Sequence, residues 1–374
     1  MLLRGQVALA LILIGLLTLL ALNGCGGTNT KVCNLSGCCA GSDACRAPQY
    51  LYATGLNGQV TAFPVSSNGA LGTAISIPGP TETLGMAVLN NQFIYVSDLK
   101  NSSLDAWSIN LGTGALTTIP GSPFSLTSSP FGSGVSASNQ ANVVYVAEAG
   151  QIEAFKADST GVLSAVAGSP FPSGSNLYLT VDPLGRFLFA SDDDPPGSVF
   201  VFTIDSAGAL HAVAGSPFPT TTNPLGNTQP DEIMVDSTGS FVYTTLRATG
   251  QVAAFSIDAS SGVLTTVPGS PFPAGNGPIT LTTANKFVYV SNATDQTISG
   301  YSITPVTGVL TPLSGSPFPI RAGALTTDPS GSFFYAAGST GILAFTIDST
   351  TGGLTPIAGS PFPPSGATVL AFVQ

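Results

Sequence analysis

The sequence predicts an all-β fold: a seven-bladed β-propeller with four antiparallel strands per blade, its ring closed by a C-terminal strand that completes the first blade. Three observations carry that prediction. Gly-Ser-Pro-Phe recurs six times, starting at Gly121, Gly168, Gly215, Gly269, Gly315 and Gly359, with spacings of 47, 47, 54, 46 and 44 residues, and a period in this range marks an array of one supersecondary unit. Each period holds four short runs of alternating Val, Ile, Leu, Phe and Tyr between Gly-bearing turns, the pattern of a propeller blade. Residues 47–374 number 328, which divides into seven such units and not into six or eight.

The chain opens on an export signal, residues 1–24. Arg4 is its only charge, and Val7 to Leu22 is an apolar run too short for a spanning helix, which needs about 20 residues. Leu22-Asn23-Gly24-Cys25 resembles a bacterial lipobox, with Cys25 as the lipidated first residue of the mature chain; an ordinary signal peptide or a membrane anchor is the alternative. Residues 25–46 read as a Cys-rich tether. Cys33, Cys38, Cys39 and Cys45 form an even, local cluster that reads as two disulfides in an oxidising compartment, with three possible connectivities. Four thiolates could instead hold zinc, but the paired C-x2-C spacing of such sites is missing.

The blades follow. In the first unit, Leu51–Thr54, Val60–Phe63 and Ala70–Ile77 match second, third and fourth strands, with Ile77-Pro78-Gly79-Pro80 as a worn copy of the motif. That unit lacks an innermost strand, and the C-terminus has a spare one at Ala367–Val373, so the two ends pair. The fifth unit shows a whole blade: Glu232–Val235, the turn Asp236-Ser237-Thr238-Gly239, Phe241–Thr244, Val252–Ile257, a second turn from Asp258 to Gly262, and Val263–Val267. Asp in each turn can bond its own backbone and Gly supplies positive φ. The same devices recur at Asp182, Asp328, Asp158, Asp205 and Asp348, so these aspartates are turn residues before they are metal ligands. The Phe of each motif is expected to wedge between blades. Trp107 stands where other blades place Phe63, Phe155, Phe202, Phe255 and Phe345, and is core as well.

Charged residues are 7% of the chain. Without Arg4 there remain 8 basic and 19 acidic residues, a net charge of −11, and the cations are scattered singly. That balance excludes nucleic acid as a partner and leaves the lipid anchor as the contact with a membrane.

The strands Phe93–Ser97 (Phe-Ile-Tyr-Val-Ser) and Phe287–Ser291 (Phe-Val-Tyr-Val-Ser), with the Ile-Asp-x-x-x-Gly-x-Leu turns, resemble the lactonase-type propeller family. That family includes 6-phosphogluconolactonases, a muconate-lactonising enzyme and exported YVTN-type repeat proteins. The resemblance spans residues 47–374 and implies a pocket at one end of the central channel, where family enzymes use charged residues such as His and Arg. Here the chain departs: its only histidine, His211, falls on an outer strand in place of Thr117, Ser164, Thr265, Thr311 or Thr355. No Gly-x-Ser-x-Gly elbow, His-Glu-x-x-His or phosphate-binding glycine loop is present.

Candidate functional residues lie in the inter-blade loops and the loops between second and third strands, which share one face of a propeller. They are Asp98, Lys100, Glu148, Tyr178, Asp192 to Asp194 with Asp193 at the centre, Asp231, Glu232, Arg247, Asn276, Asn292 and Arg321. Arg321 looks similar in position to an Arg that recurs in lactonase-type blades. The sharpest catalytic arrangement has Arg247 and Arg321 orienting a carboxylate and Glu232 as general base; the plain alternative is a set of solvated loop ends. Asp192–Asp194 offers oxygens to calcium or is an acidic loop before Pro195-Pro196. No metal or cofactor is called for. The expected function is a monomeric lipoprotein of the bacterial cell envelope, on the outer membrane if there are two, whose propeller binds a small molecule, glycan or protein at the channel face. The alternatives are a lactone hydrolase acting at that face and a structural surface protein.

Overall fold

The computed structural model describes residues 48–373, except 56, 176, 224 and 225. The signal segment, Cys25 and Cys33, Cys38, Cys39 and Cys45 therefore lie outside the described residues. The chain divides into two units, residues 1–46 and 47–374, and the second is the propeller. No helix among the described residues is long and apolar enough to cross a membrane.

Seven sheets make the ring, each with four strands in sequence order except the first, and in the second to fifth blades a further two-residue strand from the motif pairs with the third strand. In the fifth blade Pro230–Val235 is innermost, followed outward by Phe241–Leu246, Gln251–Ile257 and Leu264–Thr266. In the first blade Gln49–Gly55 pairs with Gln59–Val65 on one side and with Ala367–Val373 on the other, Tyr50 opposite Val373 and Ala53 opposite Leu370. The expected closure is therefore present, and the ring has no open inner edge there.

The apolar core is distributed rather than central. Each buried cluster lies between two successive blades: Tyr52, Val60, Ile94 and Trp107 join the first to the second, and Leu51, Phe63, Tyr335 and Ile342 join the seventh to the first. This follows from strand alternation, which sends successive side chains to the two faces of each blade. The half-buried Phe171 and Phe218 of the motifs, and the buried Phe272, pack into these seams as wedges.

The two halves of the repeat signature meet across the seams. The second-strand tyrosines donate their buried hydroxyls to the carbonyl of the turn glycine in the next blade: Tyr52 to Gly114, Tyr95 to Gly161, Tyr145 to Gly208, Tyr243 to Gly308, Tyr289 to Gly352 and Tyr335 to Gly69, at 2.7–3.0 Å. Each glycine has positive φ, which only glycine takes without strain, and a Cβ there would strike a core side chain of the preceding blade, Phe241 at Gly308 and Val143 at Gly208. The fourth blade has Phe189 instead of Tyr. Its seam is bridged by Arg186, which pairs with Asp182 at 2.8 Å and donates to the carbonyls of Gly239 and Ala259 in the fifth blade.

The Gly-Ser-Pro-Phe motif completes the outer edge of its own blade. Its Ser hydroxyl accepts a third-strand N–H left over where the outer strand ends: Ala106 to Ser122, Ala154 to Ser169, Val201 to Ser216, Ala254 to Ser270, Gly300 to Ser316 and Ala344 to Ser360, at 2.9–3.0 Å. The Phe then resumes pairing with that strand, as Phe171 does with Ile152. In the first blade Ile77 lies opposite Val60 in the same register, so Ile77-Pro78 is the counterpart of Phe-Pro. The outer strand expected over Ala70–Ile77 runs there from Ile75 to Pro78, and Leu71 adds an isolated bridge to Val65.

Candidate functional site

The innermost strands surround a channel whose cavity is about 330 Å³. Its wall is apolar side chains such as Met86, Met234 and Leu325, interleaved with the hydroxyls of Ser136, Thr180, Thr280, Thr282, Thr326 and Thr368. Among the described residues Glu232 is the one ionisable side chain in the lining, and it comes from the start of the fifth blade's inner strand. Its neighbour Asp231 points into the protein, is buried, and lies 3.3 Å from the Arg247 guanidinium. Strand alternation thus separates the two acids. Glu232 is half-buried and makes no hydrogen bond or ion pair among the described residues. Burial, with the Asp231 charge adding to it, pushes its carboxyl up to about 8. At neutral pH it is a protonated acid and a hydrogen-bond donor, not a resting general base.

The other candidates do not converge on the channel. Arg247 pairs with Asp231 and, at 3.9 Å, with Asp193, which ties the fifth blade's loop to the fourth's. Burial raises Asp231 to about 6 while Arg247 pulls the other way. Arg321 is exposed and is not among the channel-lining residues; it lines a groove between the sixth and seventh blades and, on its other side, a depression shared with Gly323, Ala367 and Thr368. Asp98, Glu148 and Asn292 end their second strands and are buried. Each holds its loop: Asp98 accepts from the Asn101 N–H and Nδ2, Glu148 from Thr127 Oγ1, the Ser128 N–H and Gln151 Nε2, and Asn292 donates to Thr297 and Ser299. Asn276 donates to Asp295 at 3.0 Å, and Tyr178 packs into the seam between the fourth and fifth blades. Two acids that sequence reasoning passed over, Asp105 and Glu153, sit beside Asp98 and Glu148 on the third strands. Asp105 is raised to about 6 by burial and then by Asp98, and Glu153 is raised chiefly by burial. Acids flanking a hairpin loop in two adjacent blades were the available signal.

Comparison with known proteins agrees with this architecture. A family model described as a seven-bladed β-propeller lactonase matches residues 197–319 and 268–371. The match is to the lactonase-type propellers. A Bacteroides uniformis protein named as a candidate 6-phosphogluconolactonase superposes with a TM-score of 0.71 at 18% identity, covering 88% of this chain and 100% of its own. A periplasmic gluconolactonase from Pseudomonas aeruginosa superposes with a TM-score of 0.69 at 17% identity, covering 88% of this chain and 99% of its own. At that identity the likeness is one of fold. No curated protein sequence matches the chain. Against this lactonase-type frame His211 stays on the outer strand, exposed, with Nε2 at 3.2 Å from Asp205. Carboxylate oxygens of Asp192, Asp193 and Asp194 lie within 4.8 Å of one another, but Asp193 also faces Arg247, and a guanidinium competes with a cation for the same oxygen.

Proposed function

We propose that this protein is an envelope lipoprotein, anchored through Cys25, whose lactonase-type propeller binds an uncharged, hydroxyl-bearing small molecule in its channel. The supporting observation is that Glu232 is the one ionisable group among the described residues lining the channel, held neutral among hydroxyls, while Arg247 and Arg321 are not in that lining. A neutral acid and threonine hydroxyls can exchange hydrogen bonds with a polyol. They offer no counter-charge to a phosphate or carboxylate, whose desolvation would go uncompensated. The test is titration calorimetry of the purified propeller with neutral sugars and sugar lactones beside their phosphorylated and carboxylate forms. Neutral ligands should bind, and Glu232→Ala should weaken them about tenfold, the loss of one buried hydrogen bond. Preference for the anionic forms sinks this reading. Mass spectrometry of the native chain tests the anchor: a mature chain that begins elsewhere than Cys25, or carries no lipid, overturns it.

The family match favours a second reading, lactone hydrolysis at the same place. Glu232 would then activate water against the ring carbonyl. Because a base must be ionised, the enzymatic rate should rise with pH through about 8 and be flat in Glu232→Gln. Background-corrected hydrolysis of a neutral δ-lactone at pH 6 to 9 separates the two readings.

A further inference from the structure

We infer that the groove on the outer rim between the sixth and seventh blades binds an amphipathic carboxylate, a fatty-acid-like molecule whose acid group meets Arg321 and whose chain lies along Phe318, Ile320, Leu343 and Leu354.

The repeat supplies an internal control. The scaffold makes the corresponding groove one blade earlier, between the fifth and sixth blades, with a similar cavity of about 540 Å³ against about 520 Å³. In that earlier groove the motif runs on as Phe272-Pro273-Ala274-Gly275, whereas here it reads Phe318-Pro319-Ile320-Arg321. The third-strand residue facing it is Ser299 there and Leu343 here, at the same register beside Val290 and Ala336. The earlier groove also carries the carboxylate of Asp295 at its mouth. Backbone architecture therefore accounts for both cavities and not for their chemistry. Two larger apolar side chains and one cation convert a mixed groove with an acidic residue into a more apolar one with a positive end.

Phe318, Ile320, Leu343 and Leu354 are all half-buried, so they keep surface that a bound chain would cover. Arg321 is the second observation. Of the three arginines among the described residues, Arg186 and Arg247 pair with carboxylates, while Arg321 has no hydrogen bond or ion pair among those residues. In a chain of net charge −10 an acidic partner would have been easy to supply. A guanidinium takes a carboxylate through two parallel hydrogen bonds. No other cation lines the groove, so a single negative charge is matched and a phosphate dianion is not.

The test is calorimetric titration of the propeller with decanoate below its micellar concentration, with decan-1-ol and decyltrimethylammonium as comparators. Decanoate should bind at one site. Arg321→Gln should weaken it about tenfold or more, as loss of a charge-assisted pair does, while leaving decan-1-ol unchanged. Leu343→Ser with Ile320→Ala, which recreates the earlier groove, should abolish binding of both. If that pair lowers the melting temperature, Ile320→Ala alone serves, and should weaken both. Glu232→Gln should leave decanoate binding intact, which keeps this site distinct from the channel. Absence of saturable decanoate binding, equal affinity in Arg321→Gln, or equally tight binding of decyltrimethylammonium overturns the assignment.

Discussion

Glu232 near the start of an inner strand and Asp158 in a turn are both acids, and the fold drives them in opposite directions. Asp158 is exposed and accepts the Thr160 hydroxyl and the N–H groups of Thr160 and Val162, which hold its carboxyl below the usual range. Glu232 has no such donors and is raised from 4.5 to about 8. The linkage has a definite sign: a folded state that holds its proton more tightly than the unfolded chain loses stability as pH climbs between those two values. Wild type should therefore weaken from about pH 4.5 to 8 relative to Glu232→Gln, by about 1–3 kcal/mol, since the side chain is only half-buried and solvent screening reduces the full effect. Melting temperatures of both proteins at pH 5 and pH 9 check this; parallel curves would mean that the carboxyl is hydrated like an ordinary surface acid. At this scale the sequence was half legible. Position in the repeat placed Glu232 on an inner strand and His211 on an outer one, and it identified the turn aspartates. It could not orient Arg247 and Arg321, because a loop side chain has no period to fix its direction. Their fate was decided by neighbours, Asp231 and Asp193 for one and an apolar groove for the other.

Between elements, the tyrosine-to-glycine bonds explain why the repeat signature has the form it does. Tyr at the third position of the second strand and Gly in the turn toward the outer strand look like separate local devices in the sequence. The fold joins them across each seam but one, and that partnership is not visible in any single repeat. Tyr145→Phe should cost about 1–2 kcal/mol, because it orphans the Gly208 carbonyl in a buried seam. Phe189→Tyr should do the reverse. Gly262 occupies the corresponding turn in the fifth blade with the same positive φ, so a new hydroxyl has an acceptor and should add up to about 1 kcal/mol. Urea denaturation of the two variants measures both. A destabilising Phe189→Tyr would show that Arg186 has already drawn that seam into a different geometry.

Over the whole molecule, stability is a sum of neighbouring seams with one closing contact. Removing Ala367 to Gln374 strips the inner strand from the first blade, takes away the buried Leu370 and Val373, and exposes the edge of Gln49–Gly55 that they cover. The loss should be at least about 3–5 kcal/mol from apolar area and ladder hydrogen bonds together. A synthetic peptide covering the deleted residues should restore the melting temperature. A truncated protein as stable as the intact one would mean that closure contributes nothing. Blade number and closure were readable from arithmetic on the motif spacing, since a ring of identical units leaves few alternatives. The worn motif at Ile77-Pro78 was legible too; what the sequence could not give was the start of that unit's outer strand, which begins at Ile75 rather than Ala70, with Leu71 making an isolated bridge to Val65.

That closing strand also sets an order in time. Gln49–Gly55 leaves the ribosome first and its inner partner, Ala367–Val373, leaves last of all the propeller's strands. A nascent chain can form blade upon blade, yet throughout its synthesis it keeps one blade short of a strand and one edge unpaired. The final few residues thus act as a latch that is fitted only once every other strand of the ring has been made.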